Sequence, residues 1–459
     1  MSKDTSVIVK PKEKVPGFRK NVSEYFGEYA GNSGIHGFNY MGEPGRYLSE
    51  KIYWMFLFGV SLFFCVGLIN QTWIKWKSSP VLVSFAQSPS PVWSIPFPAV
   101  TICPQTKSKQ RFFNFTKAYW DNVDGTITKK DLDRLNTISL VCSESFNKEG
   151  NKTTSYSSLE FLVQVAPSLR NIALSCTWAS ESDAPCSKLF VRTLTEEGIC
   201  YTFNILDRDE LFTKAVYLHK NFSNHGKSSE GWSLEKGYPE NSRKNTFPRR
   251  AIRSGAGGGL SLLLYLYQQD LDYFCQGVQG FKILLHHPAT IPLVGTPYFR
   301  ASLQQVTVVS MKPDLMTTSE SLRGYDPYKR QCYFSHERNL LYYKSYTQEN
   351  CNAECISNYT YIKCGCVAYH MPHMKLMAVC GSGSIECLTE ARDEFMTKRI
   401  EEGISNQKRE DQRSDKAVID CDCLPGCTTL SYNAELSQSD LDWQRVFRSR
   451  GVNPNKYPG

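Results

Sequence analysis

The sequence predicts an α+β protein: one N-terminal membrane-spanning helix followed by a large disulfide-rich domain with a β-strand core. Three observations carry that reading. Residues 52–69 form an 18-residue run without a charge, and residues 52–73 extend it to 22. Sixteen of the 17 cysteines follow that run, all between Cys103 and Cys427. The chain beyond it alternates short β-rich runs, bounded by Pro and Gly, with a few helical stretches.

The apolar run is long enough to cross a hydrocarbon core of about 30 Å at a rise of about 1.5 Å per residue. Tyr53, Trp54, Trp73 and Trp76 stand at its ends, where interface aromatics belong. It starts about 50 residues in and no small-residue cleavage site follows, unlike a secretory signal. Flanking charge is balanced, with Arg46 and Lys51 before the run and Lys75 and Lys77 after it. The first 51 residues carry eight Lys and Arg, which favours a cytoplasmic N-terminus. Cysteine use points the same way. None precedes Cys65 in the span, and ten fall between Cys332 and Cys427, the density of an oxidised extracellular domain. Sequons headed by Asn114, Asn151, Asn221 and Asn358 agree with that side. Those at Asn21 and Asn70 fall on the cytoplasmic side and at the membrane surface.

In the outer domain, residues 81–85 and 95–103 read as strands between breakers. Residues 129–140 and 157–165 read as helices, and residues 199–206 as a strand. Residues 221–258 are loop-like. Residues 259–267, 281–285, 302–311 and 428–436 are further strands. Residues 388–419 form one exposed helix ending in a loop. The CxC pairs at Cys364 and Cys366 and at Cys421 and Cys423, with His370 and His373, could be drafted into a zinc site. CxxC knuckles are missing and the compartment is oxidising, so the cysteines read as disulfides and the histidines as packing or surface residues. A net charge of +8 with no block of like charge gives no support for nucleic-acid binding. No metalloprotease, nucleophile-elbow, P-loop or dinucleotide motif points to an enzyme, and no cofactor is implied.

Several ordered motifs carry a resemblance. They are His36-Gly37 before the span, residues 79–85, residues 97–103 (FPAVTIC), residues 198–204 (GICYTFN) and residues 280–288 (GFKILLHHP). The cysteine spacing from Cys351 through Cys355, Cys364 and Cys366 to Cys421, Cys423 and Cys427 completes the set. Together they resemble the epithelial sodium channel/degenerin family of trimeric cation channels, and within it the pickpocket branch, over residues 33 to 445. The resemblance implies a subunit of an amiloride-sensitive-type, stimulus-gated sodium channel in the plasma membrane. Its partners would be sodium ions, the lipid bilayer and other subunits in a homo- or heterotrimer. It implies a cytoplasmic segment 1–51 in which His36 and Gly37 gate the pore, a span 52–73 and an extracellular domain 74–459. Within that domain lie a palm and β-ball core, a helical finger at 104–195 and a cysteine-rich thumb at 332–427.

The resemblance also implies a disulfide scheme. Cys103 pairs with Cys200, and Cys176 with Cys186. The thumb pairs are Cys332 with Cys427, Cys351 with Cys423, Cys355 with Cys421, Cys364 with Cys387 and Cys366 with Cys380. Cys142 and Cys275 remain and are expected to form an eighth bond, since an unpaired extracellular thiol is a liability. Some relatives are activated by proteolysis, and Arg250 and Arg253 fit a minimal R-x-x-R cleavage pattern, though a basic loop running into a strand is the plainer reading. Nothing after Cys427 is apolar enough to span a bilayer. The family's second span and its selectivity filter are therefore expected to lie outside this sequence, the chain being a fragment or a natural short isoform. Two alternatives to a conducting subunit stand: a non-conducting isoform that modulates full-length subunits, and a single-pass receptor or adhesion ectodomain. A gating motif useful only at a pore argues against the last.

Overall fold

The computed structural model describes residues 17–78, 83–142, 150–179, 185–217, 226–229, 231–243, 246–293, 297–406 and 421–454. The backbone divides into two compact units, Met1–Ser84 and Phe85–Gly459.

The first unit holds helices α1 (Phe18–Asn32), α2 (Asn39–Gly42) and α3 (Leu48–Ser78). Small residues set the approach of α1 and α2. A Cβ on Gly42 would stand 2.6 Å from the Ala30 Cβ and 3.2 Å from the Gly27 Cα. Helix α3 contains the apolar run and exceeds it at both ends. Its most apolar 18-residue stretch has a mean hydropathy of 2.3, and none of that stretch is buried. Thirty residues of helix span about 45 Å, enough for the hydrocarbon core and both interfaces. The extra turns begin with Glu50 and end with Lys75 and Lys77, charges that favour the helix dipole at each end.

The second unit is built on a five-stranded antiparallel sheet whose strands lie in the order Phe190–Thr195, Gly198–Phe203, Ala99–Pro104, Phe281–His286 and Tyr298–Ala301. Strand β1 is Ala99–Pro104. It starts four residues later than the sequence suggests, because Pro96 and Pro98 carry no amide hydrogen for a ladder. Residues 83–85, expected in a strand, lie outside any regular element, and residues 81 and 82 lie outside the described residues. Val83 and Phe85 are almost fully exposed. A strand gains little without a neighbour to pair with, and none is present here among the described residues.

Helices α4 (Phe115–Val123) and α5 (Lys129–Ile138) follow, then the short β2 (Thr153–Thr154) and α6 (Tyr156–Val165). Each helix starts on a side-chain cap. Asn114 accepts from the Lys117 amide at 2.8 Å, Thr128 from Asp131 at 3.2 Å and Ser155 from Ser158 at 3.2 Å. Their shared core contains Phe115, Leu135, Ile138, Leu159 and Leu162. Strand β3 (Ala173–Trp178), the turn α7 (Cys186–Leu189) and the hairpin β4 (Phe190–Thr195) and β5 (Gly198–Phe203) come next. The turn α8 (Arg208–Leu211), β6 (Leu260–Leu264), β7 (Phe281–His286) and β8 (Tyr298–Ala301) complete this part.

β1 and β5 are buried at every residue. Their two faces differ. One carries Val100, Ile102, Tyr201 and Phe203 into a large apolar core with Phe97 and Trp178, the Trp178 ring lying 5.0 Å from Phe203. The opposite face is polar at its centre. The Thr101 hydroxyl is 2.8 Å from that of Thr202 and 2.9 Å from His286 Nε2, and Thr202 reaches Thr193 at 2.8 Å. β6 pairs with β3 to form a separate ribbon over the apolar face.

β9 (Gln305–Thr317), α9 (Pro327–Arg330), α10 (Gln348–Cys364), β10 (Val379–Cys380), α11 (Ile385–Asn406), β11 (Thr428–Asp440) and α12 (Trp443–Ser449) complete the described chain. β9 and β11 pair over 13 positions, from Gln305 opposite Asp440 to Thr317 opposite Thr428. Of the expected helix at 388–419, α11 forms the first part and residues 407–420 lie outside the described residues.

The buried imidazoles give the fold a pH dependence. Burial lowers His286 to about 4 and His287 to about 3, so both are neutral when folded. The unfolded chain binds protons near pH 6.5 and the folded chain does not. Stability is therefore lost as pH falls below about 6.5, by about 1.4 kcal/mol per pH unit for each imidazole, until the folded value is reached. The thermal unfolding midpoint of the protein in lipid nanodiscs is expected to fall between pH 7 and pH 5. His286→Asn should flatten that slope; an equal slope in both proteins would contradict this assignment.

Candidate functional site

The His36-Gly37 dipeptide sits in a turn between α1 and α2, closed by a hydrogen bond from the Phe38 amide to the Ile35 carbonyl at 3.1 Å. Gly37 occupies the third turn position with φ +84°, a conformation glycine adopts without steric cost. It is also packed. A Cβ there would come within 2.9 Å of Trp54 Cε3 on α3. Glycine is thus required twice, by its backbone and by the indole against it. His36 is exposed. The neighbouring Phe38 ring packs 5.8 Å from Phe26 and 5.3 Å from Phe58, tying the turn to both α1 and α3. Tyr40 lies 4.7 Å from Trp54 and beneath the Arg46 guanidinium, which pairs with Glu43 at 2.6 Å.

In the second unit the structure joins sixteen cysteines in eight disulfides. Cys103 and Cys200 face each other across β1 and β5, with Cα atoms 4.4 Å apart. Cys142–Cys275 lies in the helical core, and Cys176–Cys186 ties β3 to α7. Five bonds lie between Cys332 and Cys427: Cys332–Cys427, Cys351–Cys423, Cys355–Cys421, Cys364–Cys387 and Cys366–Cys380. Two of these attach to α10. Cys351 and Cys355 share a face of α10, about 6 Å apart along the axis at four residues of helix rise. Cys421 and Cys423 flank Asp422, which sits at φ +46°, so the segment opposite α10 turns where the two bonds attach.

The β4–β5 turn carries a second cluster. Glu197 accepts from Lys107 at 2.7 Å and Lys282 at 2.6 Å. Burial alone would raise its carboxyl, but the two ammonium groups overcome that and hold it at about 2. Glu196 pairs instead with Arg392 of α11, and the Tyr369 hydroxyl donates to the Glu196 carbonyl at 2.7 Å. Burial raises the Glu196 carboxyl against the pull of Arg392. The turn thus links the central sheet to the cysteine-rich segment by opposite charges.

The remaining candidates are scattered. Asn151 is exposed. Asn114 is half-buried as the α4 cap. Asn358 is half-buried within α10, accepting from the Tyr342 hydroxyl at 3.1 Å. Asn221 lies outside the described residues. Arg250 is bound down by its own side chain, which donates to the Ser242 and Trp93 carbonyls and stacks on Tyr238. Ala251 beside it is buried, while Arg253 is exposed. A protease would have to unfold this stretch to read both arginines. His373 is buried and His370 half-buried, and no group of metal-binding side chains forms among the described residues.

Comparison with known proteins decides the family. The family model described as amiloride-sensitive sodium channel matches residues 29–457. The chain belongs to the amiloride-sensitive sodium channel family. It is 28% identical to Pickpocket protein 28 of Drosophila melanogaster over 424 residues, 90% of this chain and 64% of that protein. It is 21% identical to the sodium channel protein Nach of the same fly, over 94% of this chain and 76% of that protein. It is 20% identical to acid-sensing ion channel 1C of Danio rerio over 80% of this chain and 64% of that one. The chain spans 64% and 62% of the length of Pickpocket proteins 28 and 11.

Within this amiloride-sensitive channel family member, the sequence reading missed the charged cluster. Glu196, Glu197 and Gly198 between two β-rich runs are a hairpin signal, but their partners Lys107, Lys282 and Arg392 are 90, 85 and 196 residues away. Arg392→Ala leaves the partly buried Glu196 carboxylate unpaired. It is expected to destabilise the protein by about 1–2 kcal/mol, the pair being about one-third exposed. Adding Glu196→Gln should recover part of that loss. Strictly additive losses in thermal unfolding would contradict a direct coupling.

Proposed function

We propose that this chain is a subunit of an amiloride-sensitive-type, stimulus-gated channel that carries sodium ions across the plasma membrane. Residues 1–51 are cytoplasmic, residues 52–73 cross the bilayer, and residues 74–459 are extracellular, with a finger at 104–195 and a thumb at 332–427. Other channel subunits complete a homo- or heterotrimer.

The observation that carries this reading is Gly37, held at positive φ against Trp54 of the apolar helix. A glycine so constrained beside a membrane segment suits a gate: the turn and the helix cannot move independently. His36, exposed next to it, is free to meet the pore mouth or another subunit. In the outer domain, the cross-linked segment supplies stiffness. Each disulfide removes freedom from the unfolded chain and is worth about 2–4 kcal/mol. The β9–β11 ribbon presents Val306, Val308 and Leu436 to solvent, an apolar face of the kind that neighbouring subunits cover. The sequons at Asn114, Asn151, Asn221 and Asn358 fit the extracellular assignment.

Gly37→Ala is expected to lower open probability several-fold without changing surface expression, because alanine resists the backbone conformation and meets the indole. The check is amiloride-blockable sodium current normalised to surface-biotinylated protein. Equal currents at equal surface density would refute the gating role.

A further inference from the structure

The second unit contains a cavity of about 110 Å³ that opens to solvent. It runs along β4, the edge strand of the central sheet, and is closed by residues 205–212 and by the loop 369–373. Its wall is apolar and aromatic, with Val191, Leu206, Leu211, Phe212, Ile291 and Tyr369 among the lining residues.

The loop that closes it is held firmly. The Tyr156 hydroxyl lies 2.8 Å from His373 Nε2, and His373 Nδ1 lies 2.7 Å from the Met371 carbonyl. The Tyr217 amide donates to the His373 carbonyl at 2.8 Å, and its ring packs 4.5 Å from that of Tyr156. His373 is therefore fully engaged. His370 is not. It lines the cavity, and its Nδ1 is buried without a hydrogen-bond partner. Such an atom costs free energy until something bonds to it.

Size and charge narrow what that something is. An apolar cavity of about 150 Å³ takes a benzene ring, so one of 110 Å³ accommodates a single ring and not a peptide. The charged lining residues are Arg192, Asp207 and Arg208. Two of the three are cationic, and Asp207 is occupied by the Arg208 amide at 2.7 Å and the Gly226 amide at 3.0 Å. A cationic occupant is disfavoured.

We propose that this cavity binds a small neutral aromatic molecule carrying one hydroxyl, with its ring against the apolar wall and its hydroxyl hydrogen-bonded to His370 Nδ1. Burial lowers His370 to about 3, so the imidazole stays neutral at physiological pH and keeps that bond available. The site joins the edge strand to the cysteine-rich segment, where an occupant would bias one arrangement of the two. Binding itself does not depend on ion conduction and is tested apart from it.

The test uses the full chain in lipid nanodiscs and two probes followed by fluorine NMR, 4-fluorophenol and fluorobenzene. The protein is expected to bind 4-fluorophenol saturably at one site. Ile291→Trp, which fills the cavity, should weaken both probes at least tenfold. His370→Phe, which keeps the ring and removes the nitrogen, should weaken 4-fluorophenol about tenfold and leave fluorobenzene within twofold. Equal 4-fluorophenol binding by the parent and Ile291→Trp would overturn the site. Equal losses of both probes in His370→Phe would overturn the hydrogen bond. If Ile291→Trp fails to fold, the contrast between the probes in His370→Phe decides alone.

Discussion

The second unit hangs on one constraint: the two central strands, β1 and β5, are buried on both faces. A strand in that position must satisfy every backbone group within the sheet and find a partner for every side chain. The apolar face meets this with Phe97, Trp178 and Phe203. The other face meets it with hydroxyls of Thr101, Thr193 and Thr202 that bond to one another and to His286. The Cys103–Cys200 bond lies across the same two strands and fixes their register. Everything peripheral is attached to this frame. The helical layer, the β3–β6 ribbon and the charged β4–β5 turn all take their position from it.

The cysteine-rich segment solves a different problem. Its own apolar clusters are small, Cys332 with Phe334 and Cys427 in one, Tyr359 with Ala391 and Phe395 in another. Clusters of that size do not stabilise a helix and an extended chain against thermal motion. Covalent bonds do so instead, tying Cys351 and Cys355 of α10 to Cys423 and Cys421. The segment is therefore stiff without being thickly packed.

Much of this was legible in the sequence. The apolar helix, the strands at 199–206 and 281–285, and the helices near 129–140 and 157–165 are all readable from apolar patterning. The cysteine pairing is not legible from spacing, which leaves many connectivities open; the family resemblance implies it. What stayed hidden depends on distance along the chain. Lys107, Lys282 and Arg392 carry no local sign that they converge on one glutamate pair. His370 and His373 looked like a stray pair until burial separated a satisfied imidazole from an unsatisfied one. Residues 83–85 form no strand for a related reason: local β propensity is present, but no neighbouring strand pairs with them among the described residues.

The proposed role is that of a sodium-channel subunit in which the Gly37 turn is coupled to the apolar helix through Trp54. Reversal potential tests that most directly. Cells expressing the protein, alone or with a family member, are recorded while external sodium is exchanged for N-methyl-D-glucamine. A sodium-selective subunit predicts that the added current reverses near the sodium equilibrium potential and that its reversal shifts strongly negative on exchange. A surface-expressed protein that neither carries such a current nor alters that of its partner would contradict the account.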